Sequence, residues 1–303
     1  KTDTMGAVHF ILFLSVFAAT NGKSMKLAET PGPRLTINPF QDDGSSPRAA
    51  EEMDLQETKI VGGVAMEEFE WPFMVMLEIF LPKLQGFMQM CGGTILDELT
   101  VLTAAHCLYG FEQFEYRVRA GVYNQSVEGR FEQRRNVTER RLHLEYSGGS
   151  PYDNDIAILK LGSPLQLEDG VTEKVQLNRD SACPQDCAIC TVGGWGRTTE
   201  GGIPSELPLK VDLPIVNSEE CDVPYVEFVG PNSIGPGKVC AGEEVDGESA
   251  CQGDSGGPVM SNCNGVMEQV GIVSYGIGCA RAEYPNVYAR VSYYTDWIKD
   301  NRV

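Results

Sequence analysis

Asp153-Asn154-Asp155-Ile156-Ala157-Ile158-Leu159-Lys160-Leu161 starts with polar residues and then runs into a short apolar stretch. A run this short, headed by turn formers, suits a buried strand better than a helix. Similar runs lie on both sides. Upstream are Phe73-Met74-Val75-Met76-Leu77 and Thr100-Val101-Leu102-Thr103. Downstream are Val211-Asp212-Leu213-Pro214-Ile215-Val216 and Val270-Gly271-Ile272-Val273-Ser274-Tyr275. Gly and Pro punctuate them densely. Many short strands with few helical periods predict an all-β barrel or sandwich. At the end of the chain, Tyr293, Tyr294, Trp297 and Ile298 are spaced as one terminal helix. Met74, Met76, Met88 and Met90 alternate at strand spacing, which favours core packing over metal binding. No internal repeat is visible from Ile60 onward.

The chain has 303 residues with 24 Lys plus Arg against 43 Asp plus Glu, a net charge of −19. Such a balance argues against nucleic acid and anionic membranes as partners, because both need a positive footprint. A hydrophobic share of 42% against 22% charged marks an ordinary globular composition. The ten cysteines all follow residue 90. Their meaning depends on compartment: disulfides if exported, metal or redox chemistry if not.

The amino-terminal segments favour export. After Met5, the run Phe10 to Ala19 is about ten residues, too short to span a bilayer, and small residues follow it. Residues 1–22 are expected to be a secretory signal peptide, with residues 1–4 an extra stretch ahead of Met5. Residues 23–59 hold Pro31, Pro33, Pro39, Pro47 and several acids, and cannot bury enough apolar surface to fold alone. They read as a linker or propeptide. At Lys59-Ile60 the texture changes and strands begin. No later apolar run is long enough for a membrane span.

Three motifs carry chemistry. Thr103-Ala104-Ala105-His106-Cys107 comes first, then Asp153-Asn154-Asp155, then Gly253-Asp254-Ser255-Gly256-Gly257-Pro258. Singly, each has an ordinary reading as a structural histidine, a strand end and a tight turn. Together, in the order His, Asp, Ser, they are very specific. Ile60-Val61-Gly62-Gly63, Trp71-Pro72, Cys91-Gly92-Gly93-Thr94 and Gly194-Trp195-Gly196 accompany them. From Ile60 to Val303 the chain resembles a secreted serine protease of the chymotrypsin and trypsin family. The resemblance implies two six-stranded antiparallel Greek-key β-barrels, about 60–170 and 171–290, followed by the C-terminal helix.

A serine hydroxyl is a weak nucleophile and needs a base. The chain has three histidines, and His9 falls in the signal segment while His143 has no catalytic motif around it. His106 is therefore the expected base for Ser255. By resemblance, Asp155 orients the imidazole, with Asp153 the rival carboxylate, and the N–H groups of Gly253 and Ser255 form the oxyanion hole. The resemblance also implies a zymogen. A trypsin-like enzyme would cut after Lys59, and the new amino terminus of Ile60 would pair with Asp254.

Family members carry the specificity-pocket floor six residues before the nucleophile, here Ser249. Trypsins have an acid there, and Ser249 offers no charge. Ser274-Tyr275-Gly276 and Pro285-Asn286-Val287-Tyr288 would form the walls. Gly276 leaves the entrance open, whereas Asn286 replaces the usual glycine and adds bulk. The expectation is cleavage after large uncharged residues, with a shallower or mixed preference as the alternative. The main chain of 274–276 would hold substrate as an added strand.

Disulfides Cys91–Cys107, Cys221–Cys240 and Cys251–Cys279 follow from the resemblance. The remaining four cysteines allow three pairings. Cys190–Cys263 with Cys183–Cys187 is the expected one, with zinc at the Cys183 to Cys190 cluster as the competing reading. The family's calcium loop has a glutamate after its glycine. Here Val122 follows Gly121, with Glu128 and Glu132 further on, so no required metal or cofactor is expected. Asn124 and Asn136 head glycosylation sequons. Arg134, Arg135, Arg140 and Arg141 read as a solvated face. The expected partners are protein or peptide substrates, an activating protease and protein protease inhibitors, and the chain is expected to be a monomer. A binding protein on the same scaffold would have lost one of the three catalytic groups. An α/β-hydrolase would place its Asp and His after the serine. A short propeptide suits a digestive enzyme, with immunity or processing as the alternative.

Overall fold

The computed structural model describes residues 63–148, 152–242, 247 and 249–302. The segments expected to be a signal peptide and a propeptide, with Lys59 and Ile60, lie outside the described residues. The first half holds β1 (Val64–Ala65), β2 (Met74–Leu81), β3 (Gly86–Asp97), β4 (Thr100–Thr103), β5 (Tyr116–Ala120), β6 (Gln133–Leu142) and β7 (Ala157–Leu161). The second holds β8 (Ile189–Gly194), β9 (Leu209–Val216), α1 (Ser218–Tyr225), β10 (Lys238–Ala241), β11 (Pro258–Cys263), β12 (Val266–Tyr275), β13 (Asn286–Arg290) and α2 (Thr295–Asn301).

Strands β2 to β7 close a barrel in the order β2-β3-β4-β7-β6-β5. Strands β8 to β13 run β9-β10-β13-β12-β11-β8, and a β8–β9 pairing closes this second ring. All pairings between the named strands are antiparallel, and β1 extends the second barrel by pairing with β9. Both barrels follow the same connectivity: first, second and third strands, then sixth, fifth and fourth. No sequence repeat announces this, because the hydrophobic pattern fixes inward faces without requiring the same residues. Along β9, Leu209, Val211, Leu213 and Ile215 are buried and the residues between them are not, a period of two with one wet face.

Strand β2 is buried on both faces. Val75, Leu77 and Ile79 fill the first barrel, while Met74 and Met76 pack with Met66, Val122 and Trp195. Met88 departs from the core expectation and is exposed. The terminal helix α2 is short and follows a 3-10 turn, Val291–Tyr294. Its Ile298 joins the first barrel's core, so a helix reached from the second barrel clamps the first. Burying such a side chain contributes about 2 kcal/mol. The sequence pattern gave no sign of α1, which has little apolar periodicity and carries Pro224. Its cue is a cap: Asn217 accepts from the Glu220 N–H, and Glu219 and Glu220 occupy the first turn.

Disulfides join Cys91–Cys107, Cys221–Cys240, Cys251–Cys279 and Cys183–Cys263. The expected Cys190–Cys263 and Cys183–Cys187 bridges are corrected: Cys190 is a buried free thiol and Cys187 an exposed one. The register explains why. Ser261, not Cys263, stands opposite Cys190, which leaves Cys263 on the diagonal. Diagonal neighbours sit about 7–8 Å apart, beyond ordinary disulfide reach. Cys183 comes within 5.9 Å of Cys263, Cα to Cα.

The loop after β5 is organised by an internal cation. Arg119 pairs with Glu78 at 3.2 Å and Glu132 at 2.8 Å, and donates to the Gln125 carbonyl. Arg117 also pairs with Glu78, and Arg134 with Glu132 and Glu128. Burial works against ionising Glu132, but Arg119 and Arg134 outweigh it and hold its pKa low. Arg119→Met would leave Glu78 with Arg117 and Glu132 with Arg134 as their remaining cations, and the lost buried contacts are expected to cost about 1–3 kcal/mol, read as a lower Tm. Chelation with EDTA is expected to leave the wild-type Tm unchanged, because these carboxylates are already neutralised by guanidinium groups.

Candidate active site

The pairing of β4 with β7 assembles the first part of the site. Thr103 lies opposite Ala157, so the residues leaving β4 meet those entering β7. His106 sits in a 3-10 turn, Ala105–Cys107, and the Cys91–Cys107 disulfide anchors that turn to β3. Asp155 is 2% exposed. Its Oδ1 accepts from the His106 backbone N–H at 2.8 Å, and its Oδ2 lies 2.8 Å from His106 Nδ1. The same Oδ2 accepts from the Ser274 hydroxyl, which comes from the second barrel. Sequence reading placed Ser274 in a pocket wall and missed this bond, since no local pattern marks it.

Burial disfavours both charges of the pair, yet their mutual attraction and hydrogen bonds win. His106 is raised above its ordinary value, because the Asp155 charge and bond outweigh burial. Asp155 is lowered, because His106 and the Ser274 hydroxyl outweigh burial. The imidazole keeps 27% of its side-chain surface exposed, so its outer edge faces the cleft.

The Ser255 loop is wedged between the barrels by its main chain. Ser255 O accepts from Gly92 N at 2.7 Å on β3, and Gly256 N donates to Val273 O at 2.8 Å on β12. Gly256 has φ +77°, and a β-carbon there would lie 2.3 Å from Thr103 Oγ1 and 2.7 Å from Gly92 O. Only glycine allows this approach. It brings the loop against the strand end that leads to His106. The Ser255 hydroxyl is not hydrogen-bonded to His106 in this structure. Gly253 has φ +104°, and its carbonyl accepts from Gln89 Nε2 at 3.3 Å.

Asp254 turns inward and is 1% exposed. It accepts from Gly196 N at 2.8 Å and Cys251 N at 3.0 Å. Burial pushes its pKa up to about 6, against the pull of those two N–H groups. No Lys, Arg or His among the described residues pairs with it.

Ser249 is buried; its hydroxyl donates to Ala250 O at 2.7 Å and accepts from Ala280 N at 2.6 Å. Asn286 Nδ2 donates to Ala250 O at 3.2 Å. Its Oδ1 lies 2.9 Å from where a Gly276 β-carbon would stand. The Asn286 side chain therefore bridges the two walls. The Cys251–Cys279 disulfide ties the Ser249 segment to the one that follows the 274–276 wall. Tyr275 packs against Tyr152, with ring centroids 4.9 Å apart. Asn136 is exposed on β6, and Asn124 is half-buried. Asp153, the rival carboxylate, does not touch His106 and pairs with Lys238.

The trypsin family model matches residues 60–298. Trypsin zeta of Drosophila melanogaster is 38% identical over 253 residues, 82% of this chain and 87% of that protein. Trypsin eta of the same species is 39% identical over 246 residues, 80% of this chain and 88% of that protein. Trypsin-1 of Astacus astacus is 38% identical over 250 residues, 80% of this chain and 100% of that protein. A family match over most of the length, a double-barrel fold and a buried Asp–His pair at its cleft agree: the chain belongs to the trypsin family and is a serine endopeptidase.

Proposed function

We propose that Ser255 is the nucleophile, His106 the general base and Asp155 the group that orients and stabilises the imidazolium. The observation that carries this reading is the Asp155 carboxylate, which holds His106 at two points and reaches across to Ser274. With Nδ1 donating to Asp155, the outer nitrogen Nε2, which lies 3.8 Å from the Cys107 sulfur, is the one left to take the Ser255 proton. Attack on a peptide carbonyl gives a tetrahedral intermediate, whose oxyanion the N–H groups of Gly253 and Ser255 would stabilise. His106 then protonates the leaving amine, and water resolves the acyl-enzyme by the reverse proton path. Labelling of the cut enzyme at Ser255 by a fluorophosphonate, absent in His106→Ala, tests the assignment. An unlabelled Ser255 in otherwise folded, cut enzyme would sink it.

The precursor reading comes with it. Residues 1–22 would direct export, residues 23–59 would be removed by a cut after Lys59, and residues 60–303 would be the mature protease. The buried Asp254 carboxylate supports this, since it is the acid an α-amino group of Ile60 would neutralise. Asn124 and Asn136 are proposed glycan sites in the exported chain. Substrates are proteins; an activating protease, protein inhibitors and a digestive role belong to the proposal.

For specificity, the uncharged Ser249 favours large uncharged residues before the cut bond over Lys or Arg. Asn286 favours the second reading, a shallower pocket, because its side chain spans the walls. Asn286→Gly is expected to raise kcat/KM for Phe and Tyr substrates about tenfold or more, with little change for Ala substrates. A peptide-library profile that shows cleavage only after Lys and Arg would overturn both versions.

A further inference from the structure

Lys238 opens β10 in a fully buried run, and its side chain is 5% exposed. An ammonium in such a place needs close partners. Its Nζ donates to Ser233 O at 2.6 Å and meets Asp153 Oδ1 at 2.8 Å, and it lies 5.6 Å from the Tyr275 ring centroid. Asp153 stands two residues before Asp155, on the first barrel's side of the cleft. Lys238 belongs to the second barrel, so this ion pair joins the two.

The segment around Asp153 is held from the other side at three successive residues. The Tyr152 ring packs on Tyr275, Asp153 on Lys238, and Asn154 Oδ1 accepts from Tyr294 Oη at 3.3 Å. Tyr152 and Asn154 have φ of +58° and +60°. A non-glycine residue in that region is strained, and surrounding contacts must hold it there. Without them the turn has easier conformations, and Asp155 would leave Ser274.

We propose that Lys238 and Asp153 are positioning residues for the proton relay, their ion pair spanning the barrels so that Asp155 stays on both His106 and Ser274. This rests on the triad assigned above. The charged groups around the relay are Asp155 itself, Lys238, Asp153, and Asp222 on α1. Asp222 accepts from the N–H groups of Asn232, Ser233 and Ile234. The phenols of Tyr146, Tyr152, Tyr275 and Tyr294 are pushed up by burial and stay neutral. Lys238 and Asp153 thus bear opposite charges whose removal acts on His106 in opposite directions.

The test uses activated wild type, Lys238→Met, Asp153→Asn and the double variant, each calibrated by Ser255 labelling. Each single variant is expected to lose about tenfold in kcat with KM within twofold. Lys238→Met leaves Asp153 unbalanced and should raise the acidic limb of kcat/KM by about 0.3–0.5 pH units; Asp153→Asn should lower it by a similar amount. The double variant should regain the wild-type limb while kcat stays low, and Asp153→Glu should recover most of kcat. Asp153 is half-exposed, so its variants carry the test if Lys238→Met does not fold. Unchanged kcat and limbs, or limbs that move the same way in both single variants, overturn the inference. Failure of wild type to label at Ser255 instead removes the proposed triad, and the two failures are distinguishable.

Discussion

Asp155→Asn is expected to lower kcat about 10,000-fold while the protein remains folded, the loss this constellation shows when its carboxylate becomes an amide. That is about 5.5 kcal/mol of transition-state stabilisation. The carboxylate accepts from the His106 N–H, His106 Nδ1 and the Ser274 hydroxyl. An amide has one acceptor atom in place of two. If its NH2 faces His106 Nδ1, the imidazole must take the other tautomer, and its outer nitrogen then carries a proton and cannot act as base. If its NH2 faces the His106 backbone, two donors oppose each other. Active-site-titrated kcat, with Tm as the control for folding, checks this; a loss under a hundredfold would contradict it.

The same pair sets the pH dependence. His106 is raised, so the base is neutralised only above the ordinary imidazole value of 6.5, and kcat/KM should fall as pH drops through a point above it. The raised His106 contributes stability that is complete below pH 6.5 and fades as pH rises through its folded value. Asp155 is lowered, so its contribution is present above 3.8 and lost as pH falls through its folded value. The ion pair therefore helps stability most in the acidic-to-neutral window, while catalysis needs the neutral side.

Lys59→Gln, which removes the proposed activation site, is expected to give a folded chain with activity reduced at least a thousandfold. Asp254 is the physical reason. Its carboxyl is raised from 3.8 to about 6 by burial, so in the uncut chain the ionised form is disfavoured by about 3 kcal/mol. For a raised group, stability is present below pH 3.8 and lost as pH rises to about 6. Tm of the Lys59→Gln chain should therefore fall across that range, and adding Asp254→Asn should flatten the fall. In the cut enzyme an α-amino partner would offset the penalty, and Asp254→Asn should instead lower activity. A Lys59→Gln protein shown to be uncut, yet as active as the processed enzyme, would rule the zymogen reading out.

Much of the candidate site was legible because the proposed chemistry rests on short runs of contiguous residues. His106 follows a strand and precedes a cysteine, Asp155 heads an apolar run, and Ser255 lies among glycines that a tight loop requires. Strands were legible where the apolar content is high, as in β2, β7 and β9, but not in β6, whose arginines read only as a solvated face. Residues whose role depends on pairing were not legible. Ser274 and Ser261 are serines in apolar runs of similar texture, yet one contacts Asp155 and the other displaces Cys263 from Cys190. Nothing in the sequence singled out Lys238, and Asp153 read as a rival to Asp155; the ion pair between them appears only where the barrels meet.

The order of residues alone determined the all-β class, the family resemblance and the candidate nucleophile, base and acid, because hydrophobic period and short motifs are local properties of a chain. Tertiary structure alone decided which cysteines bond, that Asn286 lies against Gly276, and that Lys238 and Ser274 meet Asp153 and Asp155 from the opposite barrel. Those outcomes depend on strand register and on side chains brought together from distant positions. A single-residue shift in register redirects every side chain of a strand, and no neighbour in sequence records which register the fold selects.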